Sequence, residues 1–258
     1  MLQTAIEAAQ QAGKVIAARY PAGRDVTIKG YRDIVTETDI AAEAIILGLI
    51  RGRFPDHAIL SEEAGGGKVG AGYTWVVDPL DGTTNYAHRI PVFAVSIALL
   101  EDGEPLVGVI HDPLRDQTFV AERGEGAALN GAPGKRERPM RVSRVARLDH
   151  TVIGADWARS DERRSRVLAY LAQVAPRCGT IRVLGSATLA LAYVAAGWLD
   201  AYFHLALKPW DTAAGMLLVA EAGGRCTTLE GEPGRVDAPG RLATNGLIHD
   251  ELLGILGG

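Results

Sequence analysis

A layered α/β fold, α+β in its first half, is the architecture this sequence predicts. Three observations predict it. The chain opens on apolar residues at helical spacing. A series of short Val- and Ile-rich runs follows, separated by Asp-Gly and Asp-Pro turns. The second half then alternates strand-like and helix-like stretches, the pattern of helices laid on sheets.

Residues 2–20 read as an amphipathic helix, with Ile6, Ala9, Gly13, Ile16 and Tyr20 recurring on one face. A second helix is expected to start at Thr38 or Asp39, either of which offers an N-cap oxygen. It carries Ile45, Ile46, Leu49 and Ile50 and stops before Phe54 and Pro55. Short apolar runs at 58–60, 74–77, 92–100, 106–111 and 118–121 suggest a strand meander, with turns at Asp102-Gly103 and Asp112-Pro113. Around 131–144 the composition shifts to Gly, Pro and basic residues, which places a division between halves 1–140 and 141–258. Beyond it, strands are expected at 151–155, 180–184 and 199–204, and helices at 161–172, at 187–197 and after Asp211.

At 258 residues the chain can bury a substantial core, as one large domain or two closely joined ones. Hydrophobic residues make up 47% and charged ones 22%, an ordinary balance for a soluble globular protein. The net charge of -4 and the interruption of the arginine clusters at 159–166 and 135–144 by acids or apolar residues argue against a dedicated nucleic-acid groove; both clusters read as solvated faces. Cys178 and Cys226 form no Cys-x-x-Cys pair and are expected to be buried free thiols. No basic n-region with a following apolar core opens the chain, and no apolar run reaches about 18 residues. The expected location is the cytoplasm, away from membranes.

The chemistry is carried by acids placed where apolar runs break. Asp78 and Asp81 flank Pro79-Leu80 at the end of one such run, and Gly82 and Thr83 follow at once. Glu62 and Glu63 come just after the strand ending at Leu60, Asp39 closes the block 33–39, and Asp211 precedes an apolar helix. Each alone also reads as a cap, a turn or a solvated loop. Together they are carboxylates that can converge at strand and helix ends. All-oxygen ligands suit Mg²⁺, which takes a few carboxylates plus substrate phosphate, and no His-Cys cluster points to zinc. A pair of metals can lower the pKa of a bound water and steady a leaving oxygen. Amides opening a helix after Asp81 would face phosphate oxygens.

The blocks at 35–39, 61–63, 78–83 and 210–214, in that order, closely resemble the inositol monophosphatase family of magnesium-dependent, lithium-sensitive phosphatases. The likeness runs from the helical N-terminus to 243–245. It implies an α-β-α-β-α sandwich, shared with fructose-1,6-bisphosphatase, usually as a homodimer. It also implies two or three Mg²⁺ ions held by Glu62, Asp78, Asp81, Asp211 and the Leu80 carbonyl, with Glu63 as a supporting acid. Thr83 and Asp39 would orient the attacking water, and Lys29 resembles the family's lysine there once a one-residue gap is allowed. Gly82, Thr83, Gly185, Ser186, Ala187 and Asp211 would meet the substrate, a small phosphorylated molecule with inositol 1-phosphate the default. His204 stands where inositol phosphatases carry a Glu that binds substrate hydroxyls. A His there could accept or donate single hydrogen bonds, or, if protonated, attract a second anion. Fructose-1,6-bisphosphatase, histidinol-phosphatase and nucleotide 3′-phosphatase activities therefore stay open, as does an added RNA-polymerase-binding role of the kind some bacterial members have.

Overall fold

A computed structural model describes residues 1–20, 26–67, 69–130 and 139–257. The opening helix α1 (Leu2–Arg19) buries Ala5, Ala8, Ala9, Ala12 and Ile16, a stripe at i, i+3, i+4 and i+7 whose small side chains allow close approach. An antiparallel hairpin follows, β1 (Val26–Gly30) and β2 (Asp33–Thr36), and then α2 (Glu37–Arg53) packs beside α1. Five further segments, β3 (Ala58–Ser61), β4 (Gly65–Gly66), β5 (Tyr73–Asp81), the five-residue helix α3 (Thr83–Ala87) and β6 (Ala94–Glu101), lead into β7 (Glu104–Asp112), β8 (Gln117–Glu122) and β9 (Gly126–Leu129). The remainder alternates: β10 (Val152–Ala155), α4 (Asp161–Val174), β11 (Thr180–Arg182), α5 (Ala187–Ala195), β12 (Ala201–His204), α6 (Pro209–Glu221), β13 (Arg225–Thr227), β14 (Arg241–Thr244) and α7 (His249–Leu256).

The strands form two main sheets. The larger has seven strands in the order β4-β3-β5-β6-β7-β8-β9, and the smaller has five, β11-β10-β12-β14-β13. Period-two alternation divides each sheet between two cores. Trp75 and Val77 face α1 and α2, whereas Val76 faces the other way, into a core shared with Leu191 of α5 and Leu218 of α6. Those two helices meet Tyr202 and Ala243 of the small sheet on their far side, while Phe203 and Leu242 face outward against Val167 of α4 and Leu252 of α7. The layers run α-β-α-β-α. The central pair crosses closely: a Cβ at Gly215 of α6 would lie 2.5 Å from Leu191 Cβ of α5.

Several expectations need correction. The second helix is capped by Thr36, whose hydroxyl accepts the Thr38 and Asp39 amides; Thr38 and Asp39 lie inside the first turn. Asp39 returns the bond from its own side chain to the Thr36 N–H, closing a capping box. Asp211 likewise is the third residue of α6, because Pro209 is accommodated at the helix start where no amide donor is needed. The hairpin β1–β2 was not expected: every residue of β1 is exposed, so it carries no buried face to read. Strands β13 and β14 and helix α7 are too short for periodicity to reveal. Cys178 and Cys226 are free but half-buried rather than buried. The expected division at 131–144 falls largely on 131–138, which lie outside the described residues. Among the described residues no helix is long and apolar enough to cross a membrane.

Candidate active site

The site begins with an irregularity in β5. Val77 and Asp78 pair with Ile97 and Ser96 of β6, but the next matched pair is Asp81 with Ala94, so β5 spends three residues where β6 spends two. In a regular strand, residues three apart point to opposite faces. The extra residue of this bulge brings Asp78 and Asp81 to the same side, and Pro79, which has no amide donor, falls where the ladder is already broken. Leu80 N donates to Asp78 Oδ1 at 3.0 Å, fixing that carboxylate across the bulge.

Asp81 is held from the small-sheet side. Its Oδ2 accepts three hydrogen bonds from the start of α5: Ser186 Oγ at 2.6 Å, Thr188 N at 2.8 Å and Thr188 Oγ1 at 2.6 Å. Its other oxygen is left to the site. Asp211 comes from α6, its Oδ2 accepting the Lys208 N–H at 2.7 Å. Asp78, Asp81 and Asp211 each offer an oxygen within 4.8 Å of the others. Burial, then repulsion from Asp81 and Glu62, pushes Asp211 from 3.8 up to about 8. Burial raises Asp81 too, against the opposing pull of its Ser186 and Thr188 bonds. Asp78 is raised well above the ordinary range by burial and by Glu62, Asp81 and Asp211. Three converging carboxylates, Asp78 buried and Asp81 and Asp211 half-buried, that repel one another form a site suited to a hard cation.

Glu62 lies beside this group of three, outside the 4.8 Å set, with Lys29 Nζ 3.7 Å away. Burial raises it to about 7; Lys29 opposes this, while Glu63 and Asp81 add to it. Glu63 takes the closer contact with Lys29, 2.6 Å. The turn carrying both glutamates is anchored by Glu43 of α2, whose Oε1 accepts from Ser61 Oγ, Glu63 N (3.2 Å) and Ala64 N (3.0 Å).

On the α2 side, Asp39 is fully buried and burial lifts it to about 6, with the Thr36 and Thr83 bonds holding it lower than burial alone would. Thr83 Oγ1 lies 3.1 Å from Asp39 Oδ1 and 3.0 Å from the Leu80 carbonyl. A hydroxyl has one proton, so it donates to one of these at a time. Gly82 caps α3 at φ 92°, and a Cβ there would lie 2.9 Å from the Val92 carbonyl. Asp81 can therefore lead straight into α3 only through a glycine.

The loop at Gly185–Ala187 is fixed at both ends. Gly185 N donates to Asp156 Oδ1 at 2.7 Å, and Asn85 Nδ2 bridges the Leu184 and Val92 carbonyls at 2.8 Å each. Ser186, expected to meet substrate, instead spends its proton on Asp81 and accepts the Leu189 amide as the α5 cap. His204 departs furthest from expectation. It is buried, and Ala206 N donates to its Nδ1 at 2.9 Å. Burial pulls it down to about 4, which favours the neutral one of the two forms left open by the sequence.

Glu43, Asp156 and Thr188 were missed. Asp156 obeys the rule that found Asp78, an acid directly after an apolar strand, and Glu43 is a charge on the buried face of α2. Thr188 carries no local signal, because its partner is 107 positions away.

Comparison with known proteins shows that the chain is a phosphoric monoester hydrolase. The family model for inositol monophosphatases matches residues 1–256, and the chain belongs to the inositol monophosphatase family. Among its relatives is an inositol-1-monophosphatase from Synechocystis, 41% identical over 97% of this chain and 86% of the relative. Another, a Nus factor SuhB from Salmonella typhimurium, is 44% identical over 87% of this chain and 83% of its own. A solved structure of the extragenic suppressor protein suhB from Bartonella henselae superposes with a TM-score of 0.92 at 38% identity, covering 98% of this chain and 97% of that one.

Proposed function

We propose that this enzyme is a Mg²⁺-dependent phosphomonoesterase of small polyol phosphates, with inositol 1-phosphate the reference substrate. The convergence of Asp78, Asp81 and Asp211 carries the reading. The donor set fits magnesium: it is all oxygen, Asp78 is buried with Asp81 and Asp211 half-buried, and its carboxylates are raised by loss of water and then by mutual repulsion that a cation would relieve. Glu62, Asp78, Asp81, Asp211 and the Leu80 carbonyl would hold two or three ions. Magnesium bound there supplies positive charge to phosphate oxygens and makes a nearby water more acidic.

The protein's own part starts at Thr83. Its hydroxyl, poised between Leu80 O and Asp39 Oδ1, can accept a proton from the attacking water as it passes its own to Asp39. Asp39, at about 6, is a base matched to neutral pH. The Gly82 and Thr83 amides at the start of α3 have no intrahelical acceptor and would face the phosphate. Gly185 and Ala187, in the loop beside Asp81, would border the leaving alcohol, with His204 behind them as a support rather than a charge. Lys29 would keep Glu63 and Glu62 in place at the entrance.

A panel of phosphomonoesters assayed with Mg²⁺, with and without lithium, tests this. The expected result is Mg²⁺-dependent phosphate release from inositol 1-phosphate, inhibited by lithium; absence of release from every ester overturns it. The same panel separates fructose 1,6-bisphosphate, histidinol phosphate and nucleotide 3′-phosphates as substrates. The relatives named Nus factors support a further trial, co-purification with RNA polymerase from cells. Gel filtration with light scattering would test the homodimer expected from the family.

A further inference from the structure

The arginine-rich run at 159–166 comes to the rim of the active site. Arg159 sits in the loop between β10 and α4, with its Nη1 2.5 Å from Asp33 Oδ2 of the β1–β2 hairpin. Its side chain nevertheless stays 58% exposed. Asp33 pairs with Gly30 across the hairpin, next to Lys29, whose Nζ lies 3.7 Å from Glu62 Oε1. The backbone under Arg159 is firmly held. Asp156 accepts from Gly185 N and Tyr202 Oη, and Arg164 Nε donates to Ala158 O at 2.8 Å. Arg32 closes the far side, donating to Arg159 O at 3.0 Å.

A held loop thus presents an exposed guanidinium beside the hairpin that carries Lys29 to Glu62. An ion pair this exposed adds little stability, so exchanging Asp33 for another anion is easy. The guanidinium fork matches carboxylate and phosphate oxygens in a bidentate arrangement. We infer that Arg159 is a specificity-determining residue that receives a second anionic group on the leaving alcohol, with Asp33 as its partner in the free enzyme. This rests on the phosphomonoesterase reading and narrows it to phosphate esters whose alcohol carries another carboxylate or phosphate.

Two probes isolate the effect. 3-Phosphoglycerate and glycerol 3-phosphate share a three-carbon skeleton and differ by a carboxylate against a hydroxymethyl group. Arg159→Gln should lower the ratio of their kcat/KM values by about tenfold or more, chiefly through KM for 3-phosphoglycerate. Asp33→Asn, which removes the competing carboxylate, should raise that ratio. A ratio that Arg159→Gln leaves unchanged overturns the inference. Calorimetric titration with 3-phosphoglycerate reads the same contact without turnover: binding about tenfold weaker in Arg159→Gln supports it, and equal binding overturns it. If the wild type hydrolyses neither ester, the phosphomonoesterase reading is in difficulty while the titration still decides the role of Arg159.

Discussion

The bulge in β5 and the hairpin β1–β2 both deliver charged residues to the same site, by opposite means. Asp78 and Asp81 are placed by backbone pairing in the middle of the seven-stranded sheet, and one oxygen of each is fixed by amides or hydroxyls while the other is left to the site. Lys29, Arg32 and Asp33 are placed by a hairpin whose first strand is entirely exposed, and they reach the site through Glu63, Asp161 and Arg159. Buried acids held by several bonds are costly to disturb. Rim pairs in water are not. The proposed chemistry would therefore be built into the part that cannot move independently of the sheet, and the proposed selection of the alcohol into the part that can be altered cheaply.

The sharpest way to break this contrast is Asp81→Asn. Activity should fall by about 10³-fold or more, while the circular dichroism spectrum stays that of the wild type. Normal turnover would remove Asp81 from the chemistry. A smaller loss is expected one step out. Thr188→Val deletes one of three bonds to Asp81 Oδ2 without touching the backbone one, and should weaken Mg²⁺ binding by roughly 10–100-fold, read by calorimetry.

The third prediction is a dependence on pH. Asp211, at about 8 in the fold against 3.8 ordinarily, binds more protons folded than unfolded between those values, and Glu62, at about 7, does the same. Stability from these groups is present at low pH and lost as pH rises through the folded values. His204 and His249, each pulled down to about 4, act in the opposite direction only up to their ordinary 6.5. Between pH 6.5 and 9 the unfolding temperature of the metal-free enzyme should therefore fall, and the rise produced by Mg²⁺ should grow; a flat profile would contradict the charge crowding. The smallest effect belongs to the rim. Asp161→Asn breaks the pair with Arg32, but the Asp161 side chain is 75% exposed, so stability in urea should change by less than about 1 kcal/mol.

What the sequence made readable follows the same division. Asp78, Asp81 and Gly82 announce themselves because an acid, a proline, an acid and a glycine interrupt an apolar run within a few positions. Alternation made the individual strands and helices readable, since buried elements keep their periods, but the layer order was available only from the family likeness. Glu43 and Thr188 were not readable, because what they do depends on partners brought near only by folding. The state of His204 was left open for a related reason: its burial and its bond from the Ala206 amide depend on neighbours brought near by folding. The arginines at 159–166 looked like plain surface because nothing local says that Asp33 lies opposite.

The extra residue between Asp78 and Asp81 has one more consequence. Strand β5 is locked in register on both sides, parallel to β3 and antiparallel to β6, before the irregularity begins. A slip of one position would exchange the faces of the strand, exposing Trp75 and Val77 to the wrong core, at the same moment as it turned the carboxylates away. Misalignment here cannot give a well-packed but inert molecule. The packing of the sheet acts as a proofreading step for the catalytic centre.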